Sequence, residues 1–256
     1  MNPKRTSPNH ALQRTAPRVT VAANSGSNPS RPVVALYYVR CLPLRSTFAA
    51  TAPRSAVAEL GVVRRLRAPD TMITSIHSER LELIPLLPPF LRAVLERDLT
   101  EAERILGLSL PDGLLESTDV MSLRLQQLEA EPTFQPWSLR AMALRDHRMM
   151  IGHIGCHTAP APEYLRAFAP GGGEFGFEVF PSFQRKGYAR EASAALMRWA
   201  HVDHGVTRFV LSIRPDNTAS QNLAAGLGFA RIGSHIDEVD GLEDILERRF
   251  CNNAVA

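Results

Sequence analysis

The sequence predicts an α/β (α+β) fold, with a mixed, mostly antiparallel central sheet flanked by helices and a central βαβ unit. Three observations predict it. An alternating apolar segment and two stretches of helical periodicity open the patterned part of the chain. Two strand-like runs joined by a short polar turn follow as a hairpin. Residues 174–213 then show a strand, a helix and a strand, which is the order of a crossover unit.

Each element follows from its own pattern of apolar residues and breakers. Strands are predicted at residues 78–84, 138–145, 149–157, 174–180, 208–213, 229–235 and 242–250, and helices at residues 90–106, 117–130, 188–204 and 217–228. The last two strands form an antiparallel pair in the simplest arrangement. Helix 188–204 is expected to bury a stripe made of Tyr188, Ala192, Ala195, Trp199 and Val202. The Pro- and Gly-rich residues 158–173 form a long loop of the kind that is usually either functional or disordered.

The composition limits the classes of protein to consider. With 256 residues, 45% of them hydrophobic and 21% charged, the chain can bury one sizeable core. No apolar run reaches the roughly 18 residues that a transmembrane helix needs, so we expect no membrane partner. The three cysteines Cys41, Cys156 and Cys251 are far apart and odd in number. This argues against a disulfide framework or a zinc site and favours a reducing, cytoplasmic location.

Residues 1–71 and 72–256 are different in composition. The first segment holds 11 Arg and Lys against 2 acidic residues, whereas the second holds 18 basic and 24 acidic residues. A basic segment without periodicity predicts a disordered extension. Three interpretations are open: an arm for nucleic acid or membrane, a transit peptide, or an upstream extension of a protein that starts at Met72. We favour the third and assign the folded domain to residues 72–256.

The most informative segment is the hexamer Gln184-Arg185-Lys186-Gly187-Tyr188-Ala189, which lies between a predicted strand and a predicted helix. The first N–H groups of a helix have no intrahelical partner, and the helix dipole favours negative charge there. Gly187 has no Cβ and allows close approach to the backbone, while Arg185 and Lys186 add positive charge. The segment is therefore predicted to bind a pyrophosphate group.

A second motif begins after Pro215-Asp216, where Asn217 is a plausible N-cap of a short helix. Its residues with restricted types are Asn217, Ser220, Leu223, Gly228 and Phe229. Gly228-Phe229 also fits a helix end followed by a core aromatic residue.

These motifs resemble those of the GNAT superfamily of N-acetyltransferases. Gln184, Gly187 and Ala189 fill its acyl-coenzyme A pattern Q/R-x-x-G-x-G/A, and residues 217–229 are similar to its N-x-x-S-x-x-(apolar)…G-F signature. The opening strand is similar to the T-x-R-L-x-L strand of the Rim-type branch, the ribosomal-protein N-terminal acetyltransferases, with Ser78 in place of the Thr. The resemblance covers residues 76–250.

The resemblance implies acetyl-coenzyme A as cosubstrate, with its pyrophosphate at residues 184–189. Strands 174–180 and 208–213 should part, with the pantetheine arm between them. The backbone of Phe177, Glu178 and Val179 would pair with the arm. Asn217 and Asn222 would add contacts from the following helix.

For catalysis, acetyl transfer to an amine requires an oriented thioester, a proton acceptor and a proton donor. The resemblance implies Glu174 as the base, with a pKa raised by a partly apolar cleft, and Glu178 as its rival. Many superfamily members protonate the leaving thiolate with a Tyr, but Ala224 stands at that position here. Ser220 is the donor that the Rim-type resemblance implies.

The predicted function is acetyl transfer from acetyl-coenzyme A to a primary amine of a peptide or small molecule. The acceptor is expected to meet residues 90–130, Trp137 and loop 158–173. No metal site is predicted, because His153 and His157 share a strand face without a third ligand. A monomer or homodimer is expected, and nucleic acid is not favoured as a partner. The alternatives are a non-catalytic acyl-coenzyme A binding module, which the missing Tyr keeps open, and a nucleic-acid binder acting through the basic arm.

Overall fold

The computed structural model describes residues 73–237 and 241–251, and the predicted extension at residues 1–71 lies outside them. The strands of these ranges are β1 Ile76–His77, β2 Leu81–Pro85, β3 Arg140–Leu144, β4 Met149–Cys156, β5 Gly173–Val179, β6 Arg208–Ile213, β7 Ala230–Asp237 and β8 Gly241–Arg249. The α-helices are α1 Pro88–Leu95, α2 Leu99–Leu106, α3 Thr118–Ala130, α4 Tyr188–His204 and α5 Thr218–Gly226. None of these helices has the length and apolar character to span a bilayer.

The strands form one sheet in the order β1-β2-β3-β4-β5-β6-β8-β7. All neighbouring pairs are antiparallel except β5 and β6, which are parallel and connected through α4. This confirms the predicted mixed, mostly antiparallel sheet with a central βαβ unit. The antiparallel pairing of β7 with β8 is also as predicted.

Helices cover both faces of the sheet, because its strands present apolar residues to both sides. On one face, Phe175 and Phe177 of β5 belong to a core with Leu196 and Met197 of α4. On the other face, α1 to α3 pack against Ala141 and neighbouring residues of β3 and β4. The alternation of side chains along β5 thus decides which of its residues meet α4 and which face the opposite layer.

The first strand and the first helix depart from the predicted bounds for local reasons. The chain turns at Ser78, whose hydroxyl accepts from the Leu81 N–H over 3.1 Å, so β2 starts at Leu81. The predicted helix 90–106 is two helices, because Arg97 has a φ of 61° and interrupts the helical backbone. Asp98 then caps α2 by accepting from the Glu101 N–H.

The buried face of α4 is also different from the predicted stripe. Val202 is 70% exposed, and Tyr188, Ala195 and Trp199 are only partly buried. The buried residues of this helix are Ala192, Ser193, Leu196, Met197 and Ala200. The face of α4 that packs against the sheet is therefore rotated about the helix axis, by about one residue, from the predicted face.

Candidate functional site

The centre of the sheet opens where β5 and β6 meet. Their register contains two pairs, Gly173 with Phe209 and Glu174 with Val210, although β5 continues to Val179 and β6 to Ile213. On its other side β5 pairs with β4 along residues 175–179. The strands therefore part after Glu174, as predicted, and their register pairs no later residue of β5 with β6.

A cavity of about 240 Å³ lies beside this opening on the α4 face of the sheet. Its walls come from β5, the turn before α4, the first turn of α4, and α5. The lining residues are Phe177, Val179, Phe183, Gln184, Arg185, Gly187, Tyr188, Ala189, Arg190, Ala219, Ser220 and Leu223. The two sequence motifs, which are about thirty residues apart in the chain, thus meet at one cavity.

The turn before α4 has the geometry of an anion site. Gly187 is the N-cap of the 17-residue helix with a φ of 83°, and as a glycine it has no side chain with which to cap the first N–H groups. Arg185 also has a positive φ, 62°. A left-handed residue without Cβ at the cap leaves the start of the helix open to a ligand. The dipole of a long helix favours a negative group at this end.

The predicted loop residues have different contacts. Arg185, Gly187, Tyr188 and Ala189 line the cavity, as does Gln184, whose side-chain amide donates to the Val179 carbonyl over 2.8 Å. Gln184 therefore also ties the loop to the end of β5. Lys186 lies outside the lining, and its Nζ donates to the Ser182 carbonyl over 3.2 Å.

Arg190 lines the cavity as well and was not among the predicted residues. Its guanidinium donates to the Gly226 carbonyl at the end of α5 over 2.6 Å. The sequence signal for this role was its position in the first turn of α4, because a basic residue there can reach an anion at the helix start.

The residues of the second motif divide into a cap, a wall and a surface residue. Asn217 caps α5, and its Oδ1 accepts from the Ser220 N–H over 3.1 Å. Ser220 lines the cavity with a buried Oγ that has no hydrogen-bond partner among residues 73–237 and 241–251. Asn222 is exposed and lies outside the cavity lining, and Ala224 is fully buried.

Glu174 lies at the point where the strands part, and three side chains surround its carboxylate. Ser212 Oγ donates to Oε1 over 2.5 Å, Tyr164 Oη donates to Oε2 over 2.8 Å, and His157 Nδ1 is 3.5 Å from Oε2. Burial opposes ionisation, but His157 and the two hydroxyl groups outweigh it and lower the pKa of Glu174 from 4.5 to about 2. The expected raised pKa of Glu174 is therefore wrong.

None of these three neighbours was assigned to the site from the sequence. Tyr164 comes from the long loop 158–173, which was predicted to be functional, and Ser212 comes from β6. His157 was considered from the sequence only for a metal site, which was not predicted. Only the fold brings the three segments to one carboxylate.

A second cavity, of about 290 Å³, lies on the side of Glu174. It is lined by Tyr164, Leu165, Phe168, Glu174, Ser212, His235, Asp237 and Ile245. Glu174 and Phe177 point to opposite faces of β5 because side chains alternate along a strand. The two cavities thus approach the opening in the sheet from its two sides.

Glu178 has its carboxylate on the same face as Glu174 but outside both cavities. It accepts from Ser117 Oγ over 2.8 Å and lies 3.0 Å from His153 Nε2. Burial opposes its ionisation, yet the contacts with His153 and Ser117 lower the pKa of Glu178. Its side chain therefore joins β5 to β4 and to the start of α3, and its backbone carbonyl lies beside Gly152 of β4, on the side away from β6.

Residues 87–230 match the family model of the acetyltransferase (GNAT) domain, and the match includes more than half of the chain. The chain belongs to the GNAT acetyltransferase family. This family membership confirms the predicted fold class and the prediction of an N-acetyltransferase that uses acetyl-coenzyme A.

Individual relatives of this GNAT protein are distant. It is 24% identical over 167 residues to the FsC-acetyl coenzyme A-N(2)-transacetylase of Aspergillus fumigatus. This match covers 65% of this chain and 69% of that protein. It is 33% identical over 89 residues to the uncharacterized N-acetyltransferase YoaA of Bacillus subtilis, over 35% of this chain and 46% of that one. The solved structure of RimJ from Mycobacterium smegmatis in complex with CoA-disulfide aligns with 18% identity and a TM-score of 0.49, over 70% of this chain and 88% of that chain.

The residues at the first cavity fit acetyl-coenzyme A. The φ of 83° at Gly187 disfavours a side chain, and Arg80 Nη2 lies 3.4 Å from the position that a Cβ would take, so a phosphate at this backbone would have a guanidinium group beside it. The open start of α4 would hold the pyrophosphate, and the β6-side edge of β5 at Phe177 would hold the pantetheine arm. When bound, the cosubstrate supplies the acetyl group as a thioester.

Proposed function

We propose that this GNAT protein acetylates a primary amine of a peptide or small molecule, by direct attack of the amine on the bound thioester. The observation that carries the proposal is the separation of β5 from β6 after Glu174, with a cavity on each side. A cosubstrate that lies between the strands would present its thioester to an acceptor held in the second cavity. Such orientation lowers the barrier because the reactants no longer have to meet from solution.

The acceptor is a cationic amine in this proposal. Glu174 lines the second cavity and is ionised at neutral pH, so it attracts an ammonium group. Leu165, Phe168 and Ile245 form an apolar wall for the attached carbon chain. A cavity of about 290 Å³ suits one amino-acid residue or a small amine better than a folded surface.

Proton transfer involves two sites. The ammonium must lose one proton before its nitrogen can attack, and Glu174 is the carboxylate within reach, directly or through water. Its low pKa makes it a poor store for that proton, so Glu174 passes the proton on rather than retaining it. Ser220 is the donor for the leaving sulfur, since its buried Oγ lines the cosubstrate cavity and bonds to no other described residue.

The setting of the enzyme is part of the same proposal. Cys156 and Cys251 are free thiols, which supports a reducing, cytoplasmic location. The similarity of the opening strand to the Rim-type branch supports a peptide N-terminus as the acceptor. We propose a monomer or a homodimer, with residues 72–256 as the transferase domain and residues 1–71 as an extension that is dispensable for catalysis.

The test is an acceptor screen with the full chain and acetyl-coenzyme A, in which thiol release and the mass of the product are both measured. The panel pairs each amine that is protonated at neutral pH with a less basic, neutral amine of the same size. It also includes peptides with free and with acetylated N-termini. Transfer to free amines, and faster transfer to the cationic member of each pair, is expected. Thiol release without an acetylated amine in any reaction would contradict the proposal.

A further inference from the structure

Arg80, just before β2, lies over the loop that precedes α4. Its Nη1 donates to the Lys186 carbonyl over 3.1 Å, and its guanidinium carbon is 4.6 Å from the centre of the Tyr188 ring. A Cβ on Gly187 would lie 3.4 Å from its Nη2. Three consecutive residues of the loop are therefore in contact with, or directly below, one guanidinium group that comes from a distant part of the chain.

Glu191, in the first turn of α4, fixes this guanidinium. Its Oε2 is 2.7 Å from both Nε and Nη2 of Arg80, and its Oε1 accepts from the Arg80 backbone N–H over 2.7 Å. The Ser78 hydroxyl donates to the same Oε1 over 2.7 Å. Burial opposes ionisation of Glu191, but the bonds from Arg80 and Ser78 lower its pKa. A guanidinium group that is held at both Nε and Nη2 keeps one orientation better than a group held by a single contact.

The bonded Lys186 carbonyl lies in the most strained part of the loop. Arg185 and Gly187, on either side of Lys186, have φ values of 62° and 83°. A non-glycine residue in the left-handed region is strained and persists where its surroundings fix it. A donor that holds this carbonyl fixes the orientation of the one peptide plane that the carbonyl shares with the Gly187 N–H. It thereby also fixes the direction of that N–H group at the start of α4.

We propose that Arg80 is a positioning residue for the pyrophosphate end of acetyl-coenzyme A. It shapes the loop through the Lys186 carbonyl and adds a fixed positive charge beside Gly187, and Glu191 and Ser78 hold it in place. The inference rests on the proposed binding of acetyl-coenzyme A. Binding of acetyl-coenzyme A to the parent protein tests that premise separately from the role of Arg80. It predicts that Arg80 acts on the phosphate end of the ligand and not on the thioester end.

The experiment compares two substrates in the full chain. For Arg80→Met, the KM for acetyl-coenzyme A is expected to rise about tenfold, as for the loss of a charge-assisted contact, while kcat stays within about twofold. The KM for S-acetylpantetheine, which has no pyrophosphate, is expected to change by less than about twofold. Arg80→Lys keeps the charge without the fork and is expected to lie between the parent and Arg80→Met.

Arg92→Met is the matched control, because Arg92 also forms an ion pair with a glutamate, Glu129, over 2.8 Å but lies on α1 away from the loop. Its KM for both substrates is expected to match the parent. Equal rises in KM for both substrates in Arg80→Met and Arg80→Lys would mean a general structural role and overturn the proposal. An unchanged KM for acetyl-coenzyme A in these two variants would overturn it as well. A parent protein that does not bind acetyl-coenzyme A would instead remove the proposed function.

Discussion

Glu174 and Ser212 are joined by a hydrogen bond across the point where β5 and β6 separate, with Ser212 Oγ donating to Glu174 Oε1 over 2.5 Å. The backbone pairing of the two strands ends at Glu174 with Val210, and this side-chain contact continues the link beyond it. The same carboxylate lines the second cavity. One residue thus belongs both to the junction of the two strands and to the proposed acceptor site.

Replacing Glu174 with Gln is expected to lower kcat by about a hundredfold or more, since the variant loses both the charge that attracts the ammonium and the proton acceptor. The Kd for coenzyme A should stay within about threefold of the parent, because the cosubstrate cavity is on the other face of β5. Steady-state kinetics and calorimetric titration measure the two quantities. Glu178→Gln is the matched control, and its kcat should remain within about threefold of the parent. Equal losses in both variants would contradict the assignment of Glu174 over Glu178.

The stability contributed by the Glu174 carboxylate depends on pH in a direction that its pKa fixes. A carboxyl whose pKa falls from 4.5 to about 2 on folding stabilises the native state above pH 4.5, and this stabilisation is lost between pH 4.5 and about pH 2. The difference in unfolding free energy between the parent and Glu174→Gln should therefore be largest at about pH 7. It should become smaller as the pH is lowered to about 3. Urea denaturation at several pH values measures it. Glu129→Gln, at an exposed ion pair, should show little difference at any pH. A difference that grows as the pH falls would contradict the lowered pKa.

The sequence predicts the cosubstrate side of the site better than the acceptor side, for a physical reason. The loop at residues 184–189 and the cap at Asn217 are local structures, whose chemistry is determined by neighbours within a few residues. The surroundings of Glu174 come from Tyr164, His157 and Ser212, on three separate segments. No local pattern reports such contacts, so the sequence predicted an apolar cleft and a raised pKa where the fold supplies polar partners.

The contrast between local patterns and other determinants also explains which features of the fold were predicted. The alternating and helical patterns predicted the strands and the type of sheet, because burial follows those periods. The break at Arg97 was not predicted, since a left-handed residue other than Gly or Asn carries no reliable sequence signal. The rotation of α4 was missed because Ala residues are found on both its buried and its exposed sides, and Val202 is exposed.

Gly187→Ala is expected to weaken coenzyme A binding by about tenfold or more, because the added Cβ lies in the phosphate approach and strains a backbone with a φ of 83°. Gly205→Ala is its matched control. Gly205, the C-cap of the same helix, has a φ of 70° and open space around its Cβ position. Both variants should lose about 1 kcal/mol of stability, and only Gly187→Ala should lose affinity in a calorimetric titration. Similar affinities in the two variants would argue against a phosphate site at Gly187.

Asn217 and Asn222 lie on the same helix segment in different environments: Asn217 caps α5, whereas Asn222 is exposed on its surface. Asn217→Ala removes the cap of α5 and should cost about 1 kcal/mol of unfolding free energy, and it should also weaken coenzyme A binding because α5 carries the cavity wall at Ser220 and Leu223. Asn222→Ala should change neither quantity beyond about twofold in Kd, since Asn222 is exposed and outside the lining. Thermal denaturation and calorimetry test both. A loss of affinity in Asn222→Ala would restore the role that the family resemblance implied for it.

Ser220 has a matched control in Ser193, because each has a buried Oγ without a hydrogen-bond partner among the described residues. Ser193 packs on the buried face of α4, whereas Ser220 lines the cosubstrate cavity. Removing an unbonded buried hydroxyl should leave stability unchanged or raise it by about 1 kcal/mol in both Ser→Ala variants. Only Ser220→Ala should lose activity, with kcat lower by about tenfold to a hundredfold and an unchanged KM for acetyl-coenzyme A, since the variant lacks the proton donor for the leaving sulfur. An acetyl thioester with a more acidic thiol needs less protonation, so it should restore part of the lost rate in Ser220→Ala. A parent-like kcat in this variant would remove Ser220 from the mechanism and leave its hydroxyl as a packing feature of α5.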